Sequence, residues 1–469
     1  MILLAAFLSC QGSQDVQVDV HVGRQGGAGQ SQPEPGTEPS DDANGEETAS
    51  PDTGGAQDDG WVDFQNPPEF VSEDGVLSVE LHVDFADNSI PVNSQDGTRY
   101  TKEIYTRTYN GMVPGPTLRM KPGERLDIRL FNDLPENEDE FDSIMTMNLP
   151  HHLNSTNLHT HGLHVDPTGI SDNIQRVFPP GSEAEIQVDV QENHNAGSFW
   201  YHGHKHGANV IQFLSGMSGA LILEGDIDEV PEVAAAEEKI LVFQEFGLDE
   251  TGRVPAPNLE SIEPEGLFPV SETYLAVSGA VNPVVRMRPG EVQRWRMING
   301  NVGHTLDLVM TDHDFHVLGF DGITYNFVRS VARMELAQGN RADILVEAGE
   351  PGVYQLTAPI ILVGHSDAIT PEEYVFLTLV VEGEPMEMEL PFELPAPTEL
   401  LPDTRTDPDG NALEPAASRL IVLEEKSSAI AGYNRFSIDG TMFDPTCVNQ
   451  IAQRGDLEEW EVHNLWQLQ

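Results

Sequence analysis

The sequence predicts an all-β protein of three tandem sandwich domains, the third incomplete. Three observations lead there. The 469-residue chain scatters 42 glycines and 33 prolines along its length, which suits many short strands joined by turns. Segments such as Leu77–Asp84, Glu185–Val190 and Ala342–Glu347 alternate apolar and polar residues, the period of a half-buried strand, and no long amphipathic helix competes with them. A fourteen-residue segment also recurs three times without gaps: Arg119–Asn132, Arg286–Asn299 and Ile451–Asn464. Each copy has a glycine turn, then an alternating strand, then Asn where a strand ends. The copies lie 167 and 165 residues apart, so whole domains are repeated rather than the short units of a solenoid.

Taken in order, residues 1–10 form an apolar stretch ending Leu8-Ser9-Cys10, a signal-like segment in which Cys10 is a candidate lipid anchor. Export to the periplasm or cell exterior follows. Residues 11–75 are rich in Gly, Ser, Pro and acids and read as a disordered acidic linker. The first sandwich spans 76–226. An acidic connector, 228–238, leads to the second at 237–395. A proline-containing linker over 396–416 leads to the third at 417–469. The third repeat stops five residues past Asn464, so the chain is expected to be a fragment lacking most of that domain.

The net charge is −54, with only five lysines. Such a surface repels nucleic acid and anionic lipid and concentrates cations. High salt would screen its self-repulsion. No run of eighteen apolar residues occurs. Two cysteines, Cys10 and Cys447, cannot build a disulfide framework, and Cys447 reads as a buried structural thiol.

The chemistry sits in two histidine pairs, His159-Thr160-His161 and His202-Gly203-His204. Side chains two apart on a strand share a face, so each pair can aim two imidazoles at one point. Two such pairs facing each other suit a metal that prefers nitrogen.

These residues resemble the multicopper oxidases. The likeness starts at Tyr109–Leu118 and runs through both histidine pairs with the flanking Trp200. It continues in Val281–Asn299 and Ala337–Asp343, and reaches Phe436–Gly440 and Gly455–Trp460. The resemblance implies cupredoxin domains, copper as cofactor, and dioxygen reduced to water at a trinuclear site fed by a type 1 copper. By motif position, His159 would bind the type 2 copper, and His161, His202 and His204 the type 3 pair. Asp172 would assist proton delivery; its other reading is a turn-forming residue. Two motifs of the family, His-Pro-x-His-x-His and His-Cys-His, do not occur in the 469 residues. Half of the trinuclear ligands, and none for type 1 copper, are therefore on this chain.

The remaining candidates have plainer readings. His206 shares the ligand face only if its strand runs on. His164 reads as supporting or structural, and His151, His152 and His194 as loop residues. Trp200 and Tyr201 read as core, and Met386 and Met388 as part of an interdomain strand. The functional expectation is an oxidoreductase coupling one-electron oxidation of a phenol or metal ion to dioxygen reduction. The alternative is a non-catalytic copper-binding or scaffolding protein. A copper nitrite reductase ranks low, because domain one has no Cys. Nothing in the sequence sets the oligomeric state.

Overall fold

The three repeated segments adopt one structural unit three times. The computed structural model describes residues 60–138, 150–257, 269–362, 369–397, 406, 409–427, 434–444, 447–453 and 455–465. In each repeat the Asn-terminated strand pairs in parallel with the strand that opens its domain. Arg125–Asn132 lies along Val76–Asn93, Val292–Asn299 along Glu237–Leu248, and Glu458–Asn464 along Ala417–Ser427. The register is equivalent, with Val83, Phe243 and Leu423 opposite the three asparagines. The Asn has a shared purpose in the first two copies. Asn132 Nδ2 donates to the carbonyls of Phe178 and Asn154 (both 2.8 Å), and Asn299 Nδ2 to those of Leu336 (2.8 Å) and His304 (3.0 Å). Backbone acceptors at the strand's end are satisfied by a side chain where the ladder stops.

The first sandwich packs a four-stranded sheet on a five-stranded one. The former runs Arg99–Tyr109, Val76–Asn93, Arg125–Asn132, Glu183–Asp189; the latter runs Glu69–Val71, Thr117–Met120, Ser218–Leu223, Gly197–His202, His159–His161. Leu81, Leu126, Leu130, Phe199, Tyr201 and Leu221 fill the space between them. The second sandwich has sheets of six and five strands around Trp295, Phe243 and Phe315. Asn434–Ile438, Ala417–Ser427 and Glu458–Asn464 make a further three-stranded sheet. The all-β class is thus observed, and among the described residues helices are limited to short turns such as Asn209–Leu214 and Pro231–Ala234.

Period two explains why the strands Gly197–His202 and Ser218–Leu223 are buried on both faces. Phe199, Tyr201, Leu221 and Leu223 point into their own sandwich. The alternate residues Trp200, Ala220 and Ile222 pack on Ile240, Val242 and Ile298 of the second one. Beside this apolar joint lies an ionic one. Arg296, fully buried, bonds Asp228 (2.6 Å), Asp343 (3.2 Å) and Glu238, while Arg119 of the first sandwich reaches the other oxygen of Glu238 (2.5 Å). The Arg296 guanidinium, the buried Asp343 and the half-buried Asp228 and Glu238 compensate one another's desolvation.

Some expectations need correction. Residues 60–75, read as the end of a disordered linker, are ordered. Phe64 enters the core of the second sandwich, its N–H bonded to Val284 O at 2.7 Å, and Glu69–Val71 adds a parallel strand to Thr117–Met120. Apolar residues inside an acidic stretch found partners distant in sequence. Cys447 is half-buried and is not a free thiol. Met386 and Met388 lie outside any strand, and Met388 packs against the second sandwich. The readings for residues 1–59 fall outside the described residues, and no described helix is long and apolar enough to cross a membrane.

Candidate metal centre

Two neighbouring strands of the first sandwich carry the histidines. His159–His161 pairs antiparallel with Gly197–His202, placing His159 opposite His202 and His161 opposite Trp200. The two motifs therefore lie side by side on one sheet rather than facing across a gap. His159, His161, Trp200 and His202 all occupy the face turned away from the domain's own core. The ligand atoms of His159, His161 and His202 fall within 4.8 Å of one another. His204 lies beyond the strand's end, its ring centroid 5.2 Å from His159 and 5.7 Å from His202. All four predicted histidines are thus brought together.

Hydrogen bonds fix which nitrogen each ring presents. Asp172, buried, places both carboxylate oxygens 3.0 Å from His159 Nδ1 and accepts the Thr160 N–H at 2.9 Å. His159 Nδ1–H is thereby held toward the acid and Nε2 is left as the lone-pair nitrogen. His202 Nδ1–H donates to Gly203 O (2.9 Å), which leaves its Nε2 likewise, and that atom sits 3.2 Å from His161 Nδ1. A separation of 3.2 Å is what two nitrogens each about 2.0–2.1 Å from one ion would show. The donor set therefore fits a nitrogen-preferring transition metal such as copper.

Electrostatics keep the rings available. Burial, then the nearby Arg341 guanidinium, pushes His161 down to about 3. Burial pushes His202 well below the ordinary histidine range, and burial followed by the neighbouring His159 lowers His204. Neutral imidazoles at physiological pH are the metal-binding form.

Packing holds the rings in place. His161 stacks on Trp200 (centroids 4.9 Å, 30°), and His202 packs against both Trp200 (4.2 Å) and Phe213 (4.8 Å). Trp200 is thus both interdomain core and a wall of the site. The glycine between His202 and His204 sits close to Gln212, since a Cβ there would lie 2.1 Å from Gln212 Oε1 and would make that side chain shift. Asn157, fully buried, accepts the His204 N–H at 2.6 Å and anchors that residue beyond the strand. Asn157, Gln212, Phe213 and Arg341 had no role assigned from sequence. Arg341 carried a signal, its place in a resembling motif, whereas the others are single residues in loops and a short helix.

The other histidines divide. His206 is exposed because the strand stops at His202, and its ring lies 4.9 Å from Phe443. His194 lies in a loop, as read, and is buried there: its Nδ1–H donates to Asn195 O (2.8 Å) and its Nε2 accepts the His164 N–H (2.9 Å). His151 is also buried, with Lys205 Nζ donating to its carbonyl at 2.9 Å.

Two multicopper oxidase family models match, one over residues 247–381 and one over 92–139 and 142–227. The chain is 23% identical over 379 residues to the multicopper oxidase mco of Staphylococcus epidermidis, spanning 80% of this chain and 70% of that protein. It is 25% identical over 360 residues to the cell division protein FtsP of Escherichia coli, spanning 75% and 68%. Among solved structures it superposes on a multicopper oxidase from Campylobacter jejuni described as a metallo-oxidase, with TM-score 0.63 and 20% identity, covering 86% of this chain and 79% of that one. It also superposes on a laccase-like multicopper oxidase from Ochrobactrum sp., with TM-score 0.64 and 21% identity, covering 85% and 82%.

Proposed function

As the chain belongs to the multicopper oxidase family, we propose that His159, His161, His202 and His204 hold copper and form the dioxygen-reducing side of an oxidase. Copper bound there would supply one-electron redox chemistry and a place for dioxygen. The observation that carries the reading is the 3.2 Å approach of His161 Nδ1 to His202 Nε2 beside an Asp172-fixed His159. Strand pairing brings the rings together, burial keeps those of His161, His202 and His204 unprotonated, and Trp200 and Phe213 hold those of His161 and His202 against rotation. Asp172 acts here as a positioning residue, since its oxygens are engaged by His159 and Thr160.

The reductant is a phenol or a metal ion. With a charge of −54, the protein draws cationic reductants toward its surface. The relative named for cell division keeps open a second reading, a non-catalytic scaffold. That reading gives no reason for four converging imidazoles. Copper titration of the 469-residue chain against a competing chelator separates the two. Tight binding that falls sharply in His161→Ala and His202→Ala supports the copper site. Weak binding, indifferent to both substitutions, overturns it. Steady-state oxidation of ferrous or cuprous ion beside a neutral phenol tests the reductant. Equal or better turnover of the phenol at every ionic strength would count against cation preference.

A further inference from the structure

We propose that Arg341, which belongs to the second sandwich, is a positioning residue of the copper centre in the first and biases that centre toward cuprous ion. The inference rests on the copper reading above.

The geometry is a mutual interlock. At Gly162, immediately after His161, a Cβ would lie 2.3 Å from Arg341 Nη2, so the missing side chain is the space the guanidinium occupies. At Gly339, two residues before Arg341, a Cβ would lie 2.9 Å from His161 Cε1, so the imidazole occupies that space in return. Both glycines have positive φ, +92° and +83°. The guanidinium is then tied on several sides. Its Nε donates to Ser198 O (3.2 Å), on the strand that carries Trp200 and His202. Its Nη1 reaches Asp321 Oδ1 (3.1 Å) and Gly339 O (3.2 Å), and its Nη2 reaches Asp321 O (2.9 Å). Arg341 thus locks both ligand-bearing strands to the second domain.

It also brings a charge. The Arg341 side chain is 6% exposed, whereas that of its partner Asp321 is 38% exposed. Water screens the carboxylate more than the buried guanidinium, so a residual positive field remains at His161. A fixed positive charge beside a metal disfavours the divalent ion more than the monovalent one.

The experiment measures cupric and, anaerobically, cuprous affinity of the full chain by chelator competition, with the ratio of the two as the readout. Arg341→Met removes the charge at similar volume and should raise cupric relative to cuprous affinity about tenfold, the order expected of one partly buried unit charge. Asp321→Asn keeps the guanidinium and removes its counter-charge, so the ratio should move the other way. Asn340→Ala loosens the same loop, because Asn340 Nδ2 bonds Asp321 Oδ2 at 2.9 Å, but leaves every charge in place and should not move the ratio. Opposite shifts in the two charge variants establish the field, and Asp321→Asn alone decides the matter should Arg341→Met not fold. An unchanged ratio in Asp321→Asn and Arg341→Met, or an equal shift in Asn340→Ala, overturns the inference while leaving the copper reading intact. A wild-type chain that binds neither ion removes both.

Discussion

Glu238 should set much of the acid sensitivity of the joint between the two sandwiches. Burial alone would raise its carboxyl, but the charges of Arg296 and then Arg119 override burial and hold it at about 2, against 4.5 for the free side chain. A carboxyl whose folded value is depressed binds fewer protons in the native state. Its contribution is fully present above about pH 4.5 and is lost as the pH falls toward 2. The side chain is 23% exposed, so little discount for solvent is needed. At neutral pH the shift corresponds to about 3 kcal/mol, and at pH 3 to about 1.5 kcal/mol. Glu238→Gln keeps the shape and one acceptor but loses the charge, and leaves Arg296 with Asp228 and Asp343 as its carboxylate partners. Urea unfolding of the wild type and the variant at pH 7, 4 and 3 is the assay. The variant should be about 3 kcal/mol less stable at pH 7, with the gap halving by pH 3. A gap that stays constant across this range would show that ionisation of Glu238 is not what the joint depends on.

Three further outcomes follow from the same structure. Asp172→Asn places an amide N–H against either His159 Nδ1–H or the Thr160 N–H, and should weaken copper binding about 10- to 100-fold by chelator competition; unchanged affinity would remove its positioning role. Tyr201→Phe strands the Pro116 carbonyl that its buried hydroxyl bonds at 2.7 Å, and should cost about 1–3 kcal/mol in urea unfolding; a neutral result would mean water satisfies that carbonyl. Raising salt from about 0.1 M to 1 M shortens the screening length from about 10 Å to 3 Å and should raise the thermal midpoint of a chain carrying −54; a fall would mean that ion pairs such as the Arg296 network outweigh self-repulsion.

Much of the fold was legible because the repeat is a physical unit rather than a chance likeness. Asn132 and Asn299 end their strands by bonding carbonyls beyond the ladder, a task few other side chains could do. The unit even extends past the aligned segment. Asn110-Gly111, Ser278-Gly279 and Asp439-Gly440 each form a two-residue turn with positive φ at both positions. Only the first and last of these have the Asn-Gly or Asp-Gly signature, which is why the middle one escapes inspection. Residues 60–75 misled because local composition measures average burial potential. Phe64 needed one distant pocket beside Val284, and no window around it contains that information.

The site was legible for a narrower reason. Alternation alone places His159 with His161, and Trp200 with His202, but it is silent on how the two strands meet. The register His159 opposite His202 is a tertiary fact. It turns two separate pairs into one cluster, and it also puts Trp200 beside His161, giving that tryptophan a second duty as a wall. His206 shows the limit of the same rule: periodicity would carry it onto the ligand face, yet the strand stops four residues earlier and the ring turns outward to Phe443. Arg341 marks the deeper limit. No spacing within the first domain points to it, because its link to His161 runs through two absent Cβ atoms, at Gly162 and Gly339, on chain segments nearly 180 residues apart. The proposed metal ligand is readable from its own neighbours in sequence, whereas the charge proposed to tune it becomes visible only once two domains are folded against each other.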